Sequence, residues 1–289
     1  MTTSPFSRVE ASVNPFFLKT PRGYLFSVYH APRNGLPLRG KVLCIPPFNE
    51  EMNRCRSVQA QLAQTLAGQG FSVLMIDLHG TGDSSGEYHE ARWLDWLSDI
   101  AFALEWLAKQ PGASVCALLG IRLGAILAAQ VYSECHIPNI TLLLWQPVLE
   151  GKAHLTQFLR IRIAAQLDRI DRFKKSTADM RQQWIRGELV EVAGYAIHPL
   201  LAADIDAAVL LRTKLPVGSR VLWLEQTSQS LNELSIGKHQ AFDVWKKPDV
   251  TLNFMTYADP PFWQVHERVS APQLITKTSE WLASEVTLS

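Results

Sequence analysis

Ser114-Val115-Cys116-Ala117-Leu118-Leu119-Gly120-Ile121-Arg122-Leu123-Gly124-Ala125-Ile126-Leu127-Ala128-Ala129 is the stretch that decides the fold. Its first six residues form a short apolar run suited to a strand buried on both faces. Gly120 and Gly124 bracket a centre, and the alanines that follow start a helix with little side-chain bulk. A buried strand, a sharp turn between two glycines and a close-packed helix form the arrangement that commonly lifts a nucleophilic serine above a sheet. Here the central residue is Arg122. A guanidinium stays protonated at any usable pH and cannot attack an acyl carbon. The architecture is announced, and its usual chemistry is put in doubt at the same residue.

The pattern G-x-S-x-G also occurs at Gly82-Asp83-Ser84-Ser85-Gly86. It follows the strand-like run Phe71–Asp77 through Leu78-His79-Gly80-Thr81, and no helix of small residues leads away from it. The context predicts a polar turn whose glycines adopt positive φ and whose serines bond to the backbone.

Outward from the deciding stretch, strands alternate with helices. Phe16–Lys19 and Tyr24–Tyr29 flank Pro21-Arg22-Gly23 as a leading hairpin. Lys41–Ile45 is a strand ended by Pro46-Pro47, and residues 55–69 carry apolar positions at helical spacing up to Gly68 and Gly70. After the strand at 71–77, a tryptophan-rich helix is expected over roughly 91–109, then the central strand and helix, then a strand at Ile140–Trp145. Residues 152–212 read as helical throughout. Strands resume at Arg220–Leu224 and Val250–Met255, and a helix over about 271–284 closes the chain. Alternation of this kind implies parallel pairing with right-handed crossovers. We therefore expect an α/β architecture with a mostly parallel eight-stranded sheet. Residues 1–149 and 213–289 would form the core, and 150–212 a helical cap inserted into it.

The 289 residues are 47% hydrophobic and 19% charged, with a net charge of +1. A large core is expected, and neither a disordered chain nor a nucleic-acid surface fits this balance. Cys44, Cys55, Cys116 and Cys135 show no C-x-x-C spacing, a usage that suits a reduced compartment. The N-terminus lacks the basic and apolar regions of a signal peptide, and no apolar run approaches the ~18 residues that span a bilayer. A cytoplasmic location is expected. The residues call for no cofactor and no metal.

Taken together, these features resemble the α/β-hydrolase superfamily over nearly the whole chain. A narrower resemblance is to the second type of exosortase A system-associated hydrolases, bacterial proteins found with exosortase and exopolysaccharide genes. It is carried by Pro46-Pro47-Phe48-Asn49-Glu50-Glu51-Met52-Asn53, Gly120-Ile121-Arg122-Leu123-Gly124-Ala125, Leu144-Trp145-Gln146-Pro147-Val148, His154–Arg160 and Pro261-Phe262-Trp263-Gln264. The resemblance implies a hydrolase, and implies that arginine is usual at this turn.

In this fold the catalytic acid and histidine follow later strands. Glu225 stands after the strand at 220–224, without the usual glycine–aspartate loop. His266 is four residues late for the histidine, and Phe262 or Trp263 falls nearer the expected spot. A surface histidine is the competing reading of His266. The loop after Lys41–Ile45 normally gives one oxyanion-hole N–H, and here it reads Phe48-Asn49-Glu50-Glu51. Two carboxylates there would oppose an oxyanion but complement Arg122. Arg122 is then either half of a buried ion pair with Glu50 or Glu51, or, with Leu123 beside it, the grip on an anionic ligand.

Three functions follow. The first is a hydrolase of ester or acyl bonds with a displaced nucleophile (Cys55, Ser57 or water) and Glu225 and His266 as orienter and base. The second is a non-catalytic binding protein that holds an anionic small molecule, acyl, lipid-linked or saccharide, through Arg122. The third is an accessory scaffold in which the ion pair is structural. A homodimer is compatible with all three.

Overall fold

The structure is a computed structural model, and it describes residues 12–167, 176–227, 243–246, 249–265 and 267–287. Eight strands form one sheet in the order β1-β2-β4-β3-β5-β6-β9-β10. They are β1 (Val13–Thr20), β2 (Gly23–His30), β3 (Gly40–Ile45), β4 (Phe71–Ile76), β5 (Val115–Ile121), β6 (Thr141–Trp145), β9 (Arg220–Gln226) and β10 (Thr251–Tyr257). The β1–β2 hairpin and the β2–β4 pair are antiparallel, and all other pairings are parallel.

Side chains alternate across this sheet and build two cores. Leu43, Ile45, Leu118, Leu142, Leu144 and Trp223 pack on one face, under α2 (Trp93–Lys109) and α3 (Gly124–Glu134). Val42, Cys44, Leu119, Leu143, Trp145 and Leu224 pack on the other, under α1 (Glu50–Gly68) and α7 (Pro272–Thr287). Covering both faces explains why these strands read as continuous apolar runs rather than alternating ones.

Between β6 and β9 the chain leaves the sheet. It forms α4 (Gly151–Leu167), α5 (Thr177–Ile185), a hairpin of β7 (Val190–Val192) and β8 (Tyr195–Ile197), and α6 (Pro199–Ala207). The expectation of helix throughout 152–212 missed this hairpin. Its two-residue turn, Ala193-Gly194, has both residues at positive φ, 51° and 86°, the geometry that matches strand twist in tight hairpins. Leu155, Phe158, Met180, Trp184, Leu201 and Ile205 join this excursion to the α2/α3 core.

A second correction concerns α1, which begins at Glu50 rather than near residue 55. Glu50 and Glu51 therefore occupy its first turn, where carboxylates complement the helix dipole, rather than a loop.

Candidate functional site

The site forms where β3, β5, β6, β9 and β10 end. β5 delivers Arg122 onto a turn at φ 55°, and α3 begins two residues later. A left-handed conformation costs a non-glycine residue on the order of 1–2 kcal/mol, so the surroundings must hold it. They do: Arg122 N–H donates to Trp145 O (3.0 Å), and Arg122 O accepts from Ala125 N (3.1 Å) and Val148 N (3.2 Å). The flanking glycines are steric necessities. A Cβ on Gly124 would lie 2.3 Å from Pro46 O, and one on Gly120 would lie 2.6 Å from Ala125 Cα.

Each of the three guanidinium nitrogens donates within the protein. Nε donates to both Glu51 oxygens (3.1 and 3.2 Å), Nη2 donates to Glu51 Oε1 (3.1 Å), and Nη1 donates to Gln146 O (3.2 Å). Its carbon lies 5.3 Å from the centre of the Trp263 ring. Only 13% of the Arg122 side chain and 17% of the Glu51 side chain are exposed. Glu50 turns elsewhere: it hydrogen-bonds Tyr195, whose hydroxyl burial and this carboxylate push up to about 12.

His154, from α4, completes the cluster. Its Nε2 stands 4.0 Å from Glu51 Oε2, and its ring meets Phe48 edge-on at 5.9 Å. Burial pulls its pKa down to about 4; Glu51 opposes the shift and Arg122 adds to it. The imidazole is neutral at pH 7. Sequence reasoning quoted this histidine only as part of a family pattern. Nothing local marks it, because the packing of α4 onto the sheet is what brings it to Glu51.

The other candidates separate. Glu225 lies inside β9 rather than after it, is 1% exposed, and accepts a hydrogen bond from Trp223 Nε1 (2.9 Å). Burial of Tyr257, at the end of β10, raises its hydroxyl pKa, and the Glu225 carboxylate adds to the rise. His266 lies outside the described residues. Near the spot where a histidine would be sought, Phe262 is buried edge-on to Trp145 at 6.2 Å and Trp263 covers Arg122.

The substitute nucleophiles fare poorly. Cys55 is fully buried, and burial raises its thiol well above the usual range despite Arg54 and Arg122. Ser57 Oγ accepts from Gln61 Nε2 (3.2 Å) and Arg268 Nε (2.9 Å). Ser84 Oγ donates to Asp77 O (2.7 Å) and accepts from Phe26 N (2.9 Å), a turn-building role.

Beside the turn is a narrow cavity of about 20 Å³, lined by Pro47, Phe48, Asn49, Leu78, Trp96 and Leu123 among others. Asn49 sits at φ 51° just before α1, and its Oδ1 accepts from Tyr88 O–H. Its Nδ2 is buried without a partner among the described residues. No cluster of three or more potential metal ligands occurs among the described residues, and none of their helices is long and apolar enough to cross a membrane.

A family model described as "Serine aminopeptidase, S33" matches residues 37–214. A search of curated proteins finds no significant match. Solved structures that resemble the chain include Est1E from Butyrivibrio proteoclasticus, crystallised with ferulic acid (TM-score 0.65, 14% identity, 94% of this chain and 99% of that one). A monoglyceride lipase from Saccharomyces cerevisiae in complex with a substrate analogue gives 0.66 at 13% identity, over 98% and 99%. A monoacylglycerol lipase from Paleococcus ferrophilus gives 0.52 at 20%, over 90% and 99%. At these identities the likeness is one of fold, and the fold is that of an α/β-hydrolase.

Proposed function

We propose that this chain, which belongs to the serine aminopeptidase S33 family of α/β-hydrolases, is a hydrolase of ester or acyl bonds that works without an elbow nucleophile. The observation that carries this reading is Arg122 at the strand–helix turn, with a neutral histidine and a carboxylate beside it. Water is the nucleophile. His154 and Glu51, 4.0 Å apart, can both hydrogen-bond one water at about 2.8 Å from each. As the water oxygen bonds to the acyl carbon, its proton passes to the His154–Glu51 pair. The carbonyl electrons move to oxygen, return as the alcohol oxygen departs, and that oxygen takes the proton back. Arg122 holds Glu51 in place throughout through its Nε and Nη2 hydrogen bonds. In keeping with the resemblance read from its sequence, the proposal extends to a bacterial, cytoplasmic protein of an exosortase and exopolysaccharide system.

The test is turnover of a panel of p-nitrophenyl acyl esters by the wild type and His154→Gln, with and without a serine-directed fluorophosphonate. We expect turnover that the fluorophosphonate leaves intact and that His154→Gln lowers about 100-fold, the usual scale of a lost general base. Stoichiometric labelling of a serine with loss of turnover would restore ordinary serine chemistry and overturn the proposal.

One observation favours a second reading. All three nitrogens of the Arg122 guanidinium already donate within the protein, and an aromatic ring stands near the spot expected for the histidine. A pocket emptied of chemistry would bind a small acyl or saccharide ligand without converting it. Saturable binding of an ester with no turnover across the panel decides for that reading.

A further inference from the structure

The cavity beside the turn has a shape and a polarity that select one kind of acyl group. Its walls are Phe48, Leu78, Trp96, Leu123 and Leu127, each no more than 5% exposed, with Pro47 at the β3 end. Phe48 and Trp96 meet edge-on at 6.3 Å, so the aromatic wall is braced. The volume, about 20 Å³, is little more than the 10–15 Å³ that one water needs and leaves no room for a chain. A water here would find only Asn49 and Thr81 among the lining side chains, the least of the two to four polar partners it requires.

Asn49 supplies the second, independent observation. It lines the same cavity, is 4% exposed, and its Oδ1 accepts from Tyr88 O–H. Its Nδ2 is buried and lacks an acceptor among the described residues. A buried donor left unpaired is costly, so a native site that keeps one usually has a ligand or solvent atom to meet it.

We propose that this cavity is an acetyl-binding site: the methyl group fills the apolar space and the carbonyl oxygen accepts from Asn49 Nδ2. The substrate class is then acetyl esters. This rests on the hydrolase reading for turnover, but the binding step stands apart from it. Each added methylene would have to displace Phe48, Trp96 or Leu127 from a packed wall. Size discrimination by such pockets is about 10- to 200-fold per methylene.

Two measurements on the full chain test this. The first is kcat/KM for p-nitrophenyl acetate, butyrate and octanoate, in wild type, Leu127→Ala, Leu78→Ala and Asn49→Asp. The second is ligand-observed NMR with methyl acetate against methyl butyrate, which needs no turnover. We expect acetate to exceed butyrate, two methylenes longer, at least about 100-fold, the gap to close in Leu127→Ala or Leu78→Ala, and acetate selectivity to fall in Asn49→Asp. Two small wall truncations are used so that one misfolded variant does not end the test. Turnover that is equal or better with butyrate or octanoate overturns the acetyl site and leaves the hydrolase reading intact. Selective acetyl binding without turnover removes the hydrolase reading and keeps the site. Binding that does not distinguish the two esters makes the cavity a packing void and ends the proposal.

Discussion

Replacing Arg122 with alanine should expose how much of the site is held by one ion pair. The substitution removes three hydrogen bonds to Glu51, one to Gln146 O and the stacking on Trp263. It leaves Glu51, whose side chain is 17% exposed in the intact site, without its ion-pair partner. Breaking a buried pair from one side costs about 3–5 kcal/mol, and the residual exposure of both partners places Arg122→Ala near the lower end, about 3 kcal/mol. Glu51→Ala should cost less, about 2 kcal/mol, because Gln146 O and the Trp263 face still stabilise the cation. The double variant strands neither charge. It should cost about 3 kcal/mol rather than the sum of about 5, a coupling of about 2 kcal/mol. Glu50→Ala supplies the internal control: Glu50 pairs with Tyr195, so its cycle with Arg122→Ala should be additive within about 0.5 kcal/mol. Urea unfolding at pH 7, with m-values compared across all variants, measures these quantities. Equal additivity in the Glu51 and Glu50 arms would refute the ion pair and return Arg122 to the role of a free anion grip.

Three further outcomes follow from the same geometry. His154 has a folded pKa of about 4 against about 6.5 unfolded, so the unfolded chain binds the extra proton first; its contribution, about 3 kcal/mol, is complete above pH 6.5 and is lost as pH falls towards 4. Unfolding free energies measured from pH 4 to 7.5 should therefore fall more steeply in wild type than in His154→Gln, and parallel curves would contradict the burial of a neutral imidazole. Gly124→Ala should destabilise by about 1–3 kcal/mol, because its Cβ would meet Pro46 O at 2.3 Å; a neutral result in thermal unfolding would mean the β3 loop yields freely. Trp263→Leu should lower stability and, by uncovering the guanidinium, increase the salt sensitivity of the Arg122–Glu51 coupling, which a repeat of the cycle at 0.05 and about 0.5 M salt reads directly.

How much of this was legible in the sequence depends on the range over which each signal acts. The sheet was readable because strands covered on both faces become unbroken apolar runs, and because Gly120 and Gly124 are demanded by contacts within a few residues or with the adjacent loop. The β7–β8 hairpin was missed because three-residue strands are too short to show a period, and because Ala193 adopts a positive φ that its side chain does not advertise. Glu50 and Glu51 were read as loop residues because a helix that starts on two glutamates looks polar and unperiodic at its first turn.

The polar cluster itself depends on long-range placement. Arg122 signals a partner through its chemistry, since a cation turned inward must find one, and Glu51 lies on the neighbouring strand's exit. His154 carries no such signal. It sits on a helix of the inserted segment, 103 positions from Glu51 along the chain (154 − 51), and only the docking of that helix over Phe48 makes it part of the site. The same docking explains the fixed aromatic wall of the cavity, because Phe48 is pinned between Trp96 below and His154 and Phe158 above. Stability and selectivity are thus coupled through one ring. A change in α4 that lets Phe48 rotate should widen the cavity and alter the surroundings of His154 together, whereas a change at Leu127 should widen the cavity alone.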